Sequence, residues 1–177
     1  IVNNASLFEP DQGLDFSPEL LQRQMQVNLV APLQLATLLA RARSQARAGQ
    51  GVPAVIHVLD QKVHNINPDY FSYTVSKLAL AHSIALQAQA LAPSVRVCGL
   101  SPGLVYLSGP QTQDNFDRAS QINLLKQRIH PADVARCAVF VAQNTCLNGC
   151  TLQADNGQHL VPLSRDAMWA IEENSQQ

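Results

Sequence analysis

Val52-Pro53-Ala54-Val55-Ile56-His57-Val58-Leu59 is a nearly unbroken apolar run, followed by a polar loop from Asp60 to Asp69. A strand with one face in water alternates apolar and polar residues, whereas a strand covered on both faces does not need to. After the loop, Tyr70 to Ala92 predicts a long helix that stops at Pro93. Val95-Arg96-Val97-Cys98-Gly99-Leu100 then repeats the buried-strand pattern and closes on Ser101-Pro102-Gly103. Two such strands joined by a helix need a crossover connection, and that makes them parallel neighbours in an α/β sheet.

Working outward, the same alternation continues. Ile1 and Val2 read as the end of a strand running into a polar turn, and Ser17-Pro18-Glu19 starts a helix. Serine is a good N-cap, proline suits the first helical position, and an acid favours the first turn. Leu21, Met25, Leu29, Leu33 and Leu35 extend that helix to about Ala48, with a bend expected at Pro32. The segment from Leu104 to Ile129 is ambiguous and reads as a loop with a short helix. His130-Pro131-Ala132-Asp133 starts a helix to about Ala142, Thr151 to Ala154 is a last strand, and a polar tail follows Gly157. The expectation is one domain over residues 1–177.

Composition narrows the partners. Apolar residues make up 46% of 177 and charged residues 14%, which fits a packed globular chain and not a disordered one. A net charge of -1 offers no electrostatic draw for nucleic acid or an anionic membrane. No stretch has the length and apolarity of a membrane span. Cys98, Cys137, Cys146 and Cys150 form no CxxC pair and have no histidine at ligand spacing, so buried free thiols in a reducing compartment are expected, with no metal.

The residues suited to chemistry are Tyr73 and Lys77, one helical turn apart in Tyr73-Thr74-Val75-Ser76-Lys77. An ammonium beside a phenol favours phenolate, and the pair opens a helix at the carboxyl edge of the sheet, where ligands bind in such folds. With Asn3-Asn4-Ala5-Ser6, Asn28 and Ser101-Pro102-Gly103, the pair stands in the order and spacing of the short-chain dehydrogenase/reductase family. The chain resembles that family from Ile1 to about Gly157.

The resemblance implies the C-terminal portion of a doubly wound, Rossmann-type domain. It implies that Tyr73 is the proton donor, that Lys77 lowers its pKa and binds the nicotinamide ribose, and that Asn28 holds a relay water through a distortion of its helix. Asn3, Ala5 and Ser6 would lie beside the cofactor, and Pro102, Gly103 and the Leu104 backbone would face the nicotinamide carboxamide. The family's usual carbonyl-polarising serine is replaced by Asp60, which has no proton to give when ionised. Pteridine reductases and the related dihydromonapterin and dihydrofolate reductases share that substitution, and Asn4-Ala5-Ser6-Leu7-Phe8-Glu9-Pro10 resembles their substrate turn. By that resemblance Ser6 contacts pterin and cofactor, Phe8 stacks on the pterin, Asp60 and Tyr73 handle its protons, and NADPH is the cofactor. A carbonyl or alcohol substrate and a non-catalytic family member are the competing expectations.

The family's Gly-rich pyrophosphate turn is not found in this sequence. The expectation is therefore a portion of a protein of about 250 residues, with an uncovered sheet edge. A cytoplasmic homodimer or homotetramer paired through the long helices is expected by the same resemblance. His64 follows Asp60 but carries little claim on the pocket, and the segment from Leu147 to Gly157 reads as structural.

Overall fold

Strands β1 (Val2–Asn3), β2 (Ala54–Val58), β3 (Arg96–Pro102) and β4 (Thr151–Ala154) pair in the order β1-β2-β3-β4, all parallel. The computed structural model describes residues 1–44 and 51–174. Helices α1 (Pro18–Met25) and α2 (Ala31–Ser44) link the first two strands, α3 (Phe71–Leu91) the next two, and α4 (Gln113–Ala119) and α5 (Pro131–Gln143) the last two. The residues beyond Ser44 that the helix was expected to include lie outside the described residues.

Period two explains how both faces are buried. Val55, Val97 and Leu59 pack with Ala36 and Ala40 of α2 and Leu80, Ile84 and Ala88 of α3. Their sequence neighbours Ile56, Cys98 and Leu100 point the other way, onto Val141 of α5. Gly99 lies where α3 presses closest to the sheet: a Cβ there would sit 2.6 Å from Ile84 Cδ1 and 2.5 Å from Thr151 Oγ1. The sheet is doubly wound, as expected. Ile1 and Val2 on the β1 edge are 48% and 53% exposed.

Several boundaries follow local chemistry. The Ser17 side chain accepts from Leu20 N, as its place before Pro18 requires. A π-helical turn over Gln26–Val30, closed by Ala31 N donating to Gln26 O, interrupts the first long helix. It lies one turn before Pro32, because Pro32 has no N–H to offer the carbonyl of Asn28 four residues earlier. Strand β3 runs through Ser101 and Pro102, which were read as a turn, because Pro102 pairs with Ala154. Arg96 at the start of β3 is 6% exposed, and its guanidinium donates to the carbonyls of Val141, Ala142, Asn144 and Leu147 where α5 ends. That satisfies carbonyls left open by the helix terminus.

Two expectations need correction. The residues after Gly157 are not a polar tail: a 3-10 turn and helix α6 (Ala167–Asn174) fold back, burying Ala167, Met168 and Ala170. Their apolar residues are consecutive in sequence and show no helical period, so the pattern gave no signal. Of the cysteines only Cys98 is buried, while Cys146 and Cys150 are exposed. Cys150, just before β4, lies 3.9 Å from Cys98 of β3, sulfur to sulfur.

Candidate active site

The carboxyl ends of β1, β2 and β3 open into a cavity of about 680 Å³. Asn4, Ser6, Phe8, Asp60, Tyr73, Lys77, Pro102, Gly103 and Leu104 line it, so most of the sequence-predicted site is brought together. Lys62, Asp166 and Ala167 complete one side, and no sequence pattern had singled them out.

Asp60 ends the strand segment and Tyr73 enters the wall from the first turns of α3. The Tyr73 hydroxyl donates to Asp60 Oδ2 at 2.8 Å, while Asp60 Oδ1 accepts from Lys62 N at 2.8 Å. Burial raises the Asp60 carboxyl above its ordinary value, against the pull of those hydrogen bonds and of the Lys62 and Lys77 charges. Tyr73 is pushed well above 10 by burial, then by the Asp60 charge. This reverses the expected lowering: a carboxylate touches the phenol, whereas the Lys77 ammonium lies 5.7 Å from the ring centroid. Asp60 is the stronger acid of the two, and the shared proton rests on Tyr73. Lys77 donates to Val58 O at 2.8 Å, and burial lowers it to about 8 despite Asp60. Among the described residues its other N–H groups have no partner, so they are free to meet a ligand in the cavity.

Asn28 sits in the π turn with its amide fully engaged. It accepts from Leu7 N at 2.7 Å and Ser6 Oγ at 3.1 Å, and donates to Leu7 O at 2.9 Å and Ser76 Oγ at 3.0 Å. The side chain thus fastens the Ser6–Phe8 turn to α3. Its backbone carbonyl cannot accept from position 32, because Pro32 has no N–H.

The cofactor-facing residues of the sequence reading divide into two groups. Asn3 and Ala5 do not line the cavity: Asn3 Nδ2 bonds His57 Nδ1 at 3.1 Å and Pro32 O at 3.4 Å, behind the wall. His57 completes that layer by donating from Nε2 to Gln87 Oε1 at 2.9 Å, and burial lowers its pKa, so it stays neutral. A histidine inside a doubly buried strand must find partners, and that was the available signal. The Leu104 N–H, expected to face the carboxamide, donates to Gln158 Oε1 at 2.9 Å. Gly103 is small for the same neighbour: a Cβ there would lie 2.5 Å from Gln158 Oε1.

Phe8 stacks on Tyr70, centroids 4.0 Å apart and planes 15° off parallel, and meets Tyr73 at 4.6 Å in a T. Tyr70 holds this position with φ of 56°, a left-handed conformation unfavourable for a bulky residue, immediately before α3. His64 is not among the lining residues; its Nε2 lies 3.2 Å from Gln153 Nε2. No group of three or more metal-ligating side chains occurs among the described residues, and no described helix is long and apolar enough to cross a membrane.

A family profile described as enoyl-(acyl carrier protein) reductase matches residues 1–159. The chain belongs to the short-chain dehydrogenase/reductase family. Among curated relatives, dihydromonapterin reductases of Escherichia coli O6:K15:H31 (strain 536 / UPEC) and of Enterobacter sp. (strain 638) are each 25% identical over 90% of the chain and 66% of their own length. FolM alternative dihydrofolate reductase 1 from Brucella canis, solved with NADP, matches with a TM-score of 0.84 at 33% identity, covering 93% of this chain and 64% of that one. The angucycline C-6 ketoreductase LanV, with bound NADP, matches at 0.75 and 25% identity, over 90% of this chain and 62% of its own. The chain therefore spans about two thirds of the length of the relatives it matches.

Proposed function

We propose that this chain carries the proton-handling and substrate-binding part of an NADPH-dependent reductase of dihydropterins or dihydrofolate. The observation that carries the reading is the hydrogen bond from Tyr73 to Asp60, beside the Phe8–Tyr70 stack. A carboxyl raised by burial takes up a proton more readily than an exposed one and can deliver it to a ring nitrogen, which an alcohol serine cannot do as an acid. The similarity to proteins named for monapterin and folate reduction supports the same reading.

The site fits a dinucleotide's nicotinamide end. Ser6, Tyr73, the free N–H groups of Lys77, and Pro102 with Gly103 all border the cavity, although the Leu104 N–H is taken by Gln158. Bound NADPH would supply the hydride. Lys77 would anchor the ribose, Tyr73 and Asp60 would hold and pass the proton, and the Asn28 carbonyl would hold a water behind Lys77. Exposed Leu35 and Leu38 on α2 and Leu86 on α3 support a homodimer or homotetramer. Sedimentation as a monomer at micromolar concentration would refute the assembly.

The test is NADPH oxidation on adding dihydrobiopterin, dihydromonapterin or dihydrofolate. Turnover with at least one is expected; turnover with none would sink the reading. Ketone reduction is the second reading, favoured by the likeness to LanV. It wins if Asp60→Ser improves ketone turnover and no pterin activity exists to be lost.

A further inference from the structure

Lys62 and Asp166 form a charged pair in the cavity wall that the proton chemistry leaves unused. The Lys62 side chain is 2% exposed. Its ammonium donates to Asn67 Oδ1 at 2.7 Å and to Asp166 Oδ2 at 3.1 Å. Asp166 is held at a second point, where Oδ1 accepts from Met168 N at 3.2 Å as α6 begins. A carboxylate fixed at both oxygens cannot swing, yet each oxygen keeps further acceptor capacity. The side chain remains 18% exposed and lines the same cavity as Asp60 and Phe8.

Its neighbours say which end of the cavity it serves. Met168 packs with Tyr70, Tyr73 and Phe8, so Asp166 stands at the aromatic end. Capping a helix requires neither a buried ammonium on the other oxygen nor a place in the cavity wall. Resting on the pterin-reductase reading, we propose that Asp166 is a substrate-contacting, specificity-determining residue that accepts hydrogen bonds from the N–H edge of an amino-substituted flat heteroaromatic. Asp60 and Tyr73 serve the edge being reduced, and Lys62 is the positioning residue that aims Asp166. A substrate without N–H donors leaves the Asp166 acceptors unpaired, and a site built this way discriminates against it.

The test compares a dihydropterin with a ketone lacking N–H groups, in the wild type, Asp166→Asn and Asp166→Ser. Asparagine and serine both cap helices, so the start of α6 survives in each variant. The dihydropterin KM is expected to rise about tenfold, with the ketone and NADPH KM values unmoved. Unchanged KM values throughout would overturn the proposal, as would parallel shifts for both substrates with a lowered Tm, the mark of a purely structural role. If the wild type reduces the ketone but no pterin, the functional reading fails. The role of Asp166 is then decided by the Kd of a 2,4-diaminopteridine, read from the fluorescence of Trp169. Weaker binding in both variants sustains the role; equal Kd, or no binding to the wild type, overturns it.

Discussion

Asp60 ties stability to pH in a direction opposite to most carboxylates. Burial raises its carboxyl above 3.8, so the folded form binds a proton more readily than the unfolded one. Its contribution to folding is present below the unfolded value and is lost as pH rises through the folded one. Asp60→Asn carries no such charge, so its Tm relative to wild type is expected to climb from about pH 4 upward. Thermal melts at several pH values check this, and a constant offset would contradict it. Burial lowers Lys77 to about 8, which bears on the proposed activity at alkaline pH. If its ammonium is required, kcat/KM falls above about pH 8, and Lys77→Arg moves that limb to higher pH while Tyr73→Phe lowers turnover by about 10²–10⁴-fold across the range. Tyr73, Lys77, Asp60 and Phe8 were legible because each belongs to a spacing or substitution pattern. Lys62 and His57 were not: isolated polar residues acquire meaning only from partners that lie far away in sequence.

At the level of elements, the site depends on how the first long helix is broken. The π turn presents Asn28 to the Ser6–Phe8 turn on one side and to Ser76 of α3 on the other. Asn28→Ala strands buried groups on both sides, and a loss of about 2–4 kcal/mol is expected, read from the urea midpoint at unchanged slope. Gly99→Ala tests the sheet–helix contact separately. Ile84 Cδ1 can shift, but Thr151 on the adjoining strand has less room, so a cost of about 1–3 kcal/mol is expected by the same measurement. Strands and long helices were legible because burial on two faces and on one stripe leave different periods. The π turn was visible only as a proline, whose missing N–H identifies the affected carbonyl but not how the chain will rearrange around it. Helix α6 left no trace in the period at all.

Across the whole molecule, the segment after β4 ties its far end to the loop after β2. Arg165 donates through Nε to Asp69, and Asp166 N donates to the same carboxylate. Although burial pushes Asp69 up, those donors and the Arg165 charge hold it below its ordinary value. Arg165→Met is expected to cost about 2 kcal/mol, less than for a fully buried pair because Arg165 is 34% exposed. Equilibrium unfolding of the variant checks it. The sheet's doubly wound arrangement was readable from the order of its elements, but this return was not, because it is built from single ion pairs between distant residues.

The Lys62–Asp166 contact joins residues 104 apart in the chain. At about 5–20 residues per second of synthesis, Asp166 leaves the ribosome on the order of 5–20 seconds after Lys62. Through that interval Lys62 lacks its Asp166 partner, and the aromatic end of the cavity lacks a wall. A nascent chain can therefore pair β1, β2 and β3 early, while its binding surface matures late.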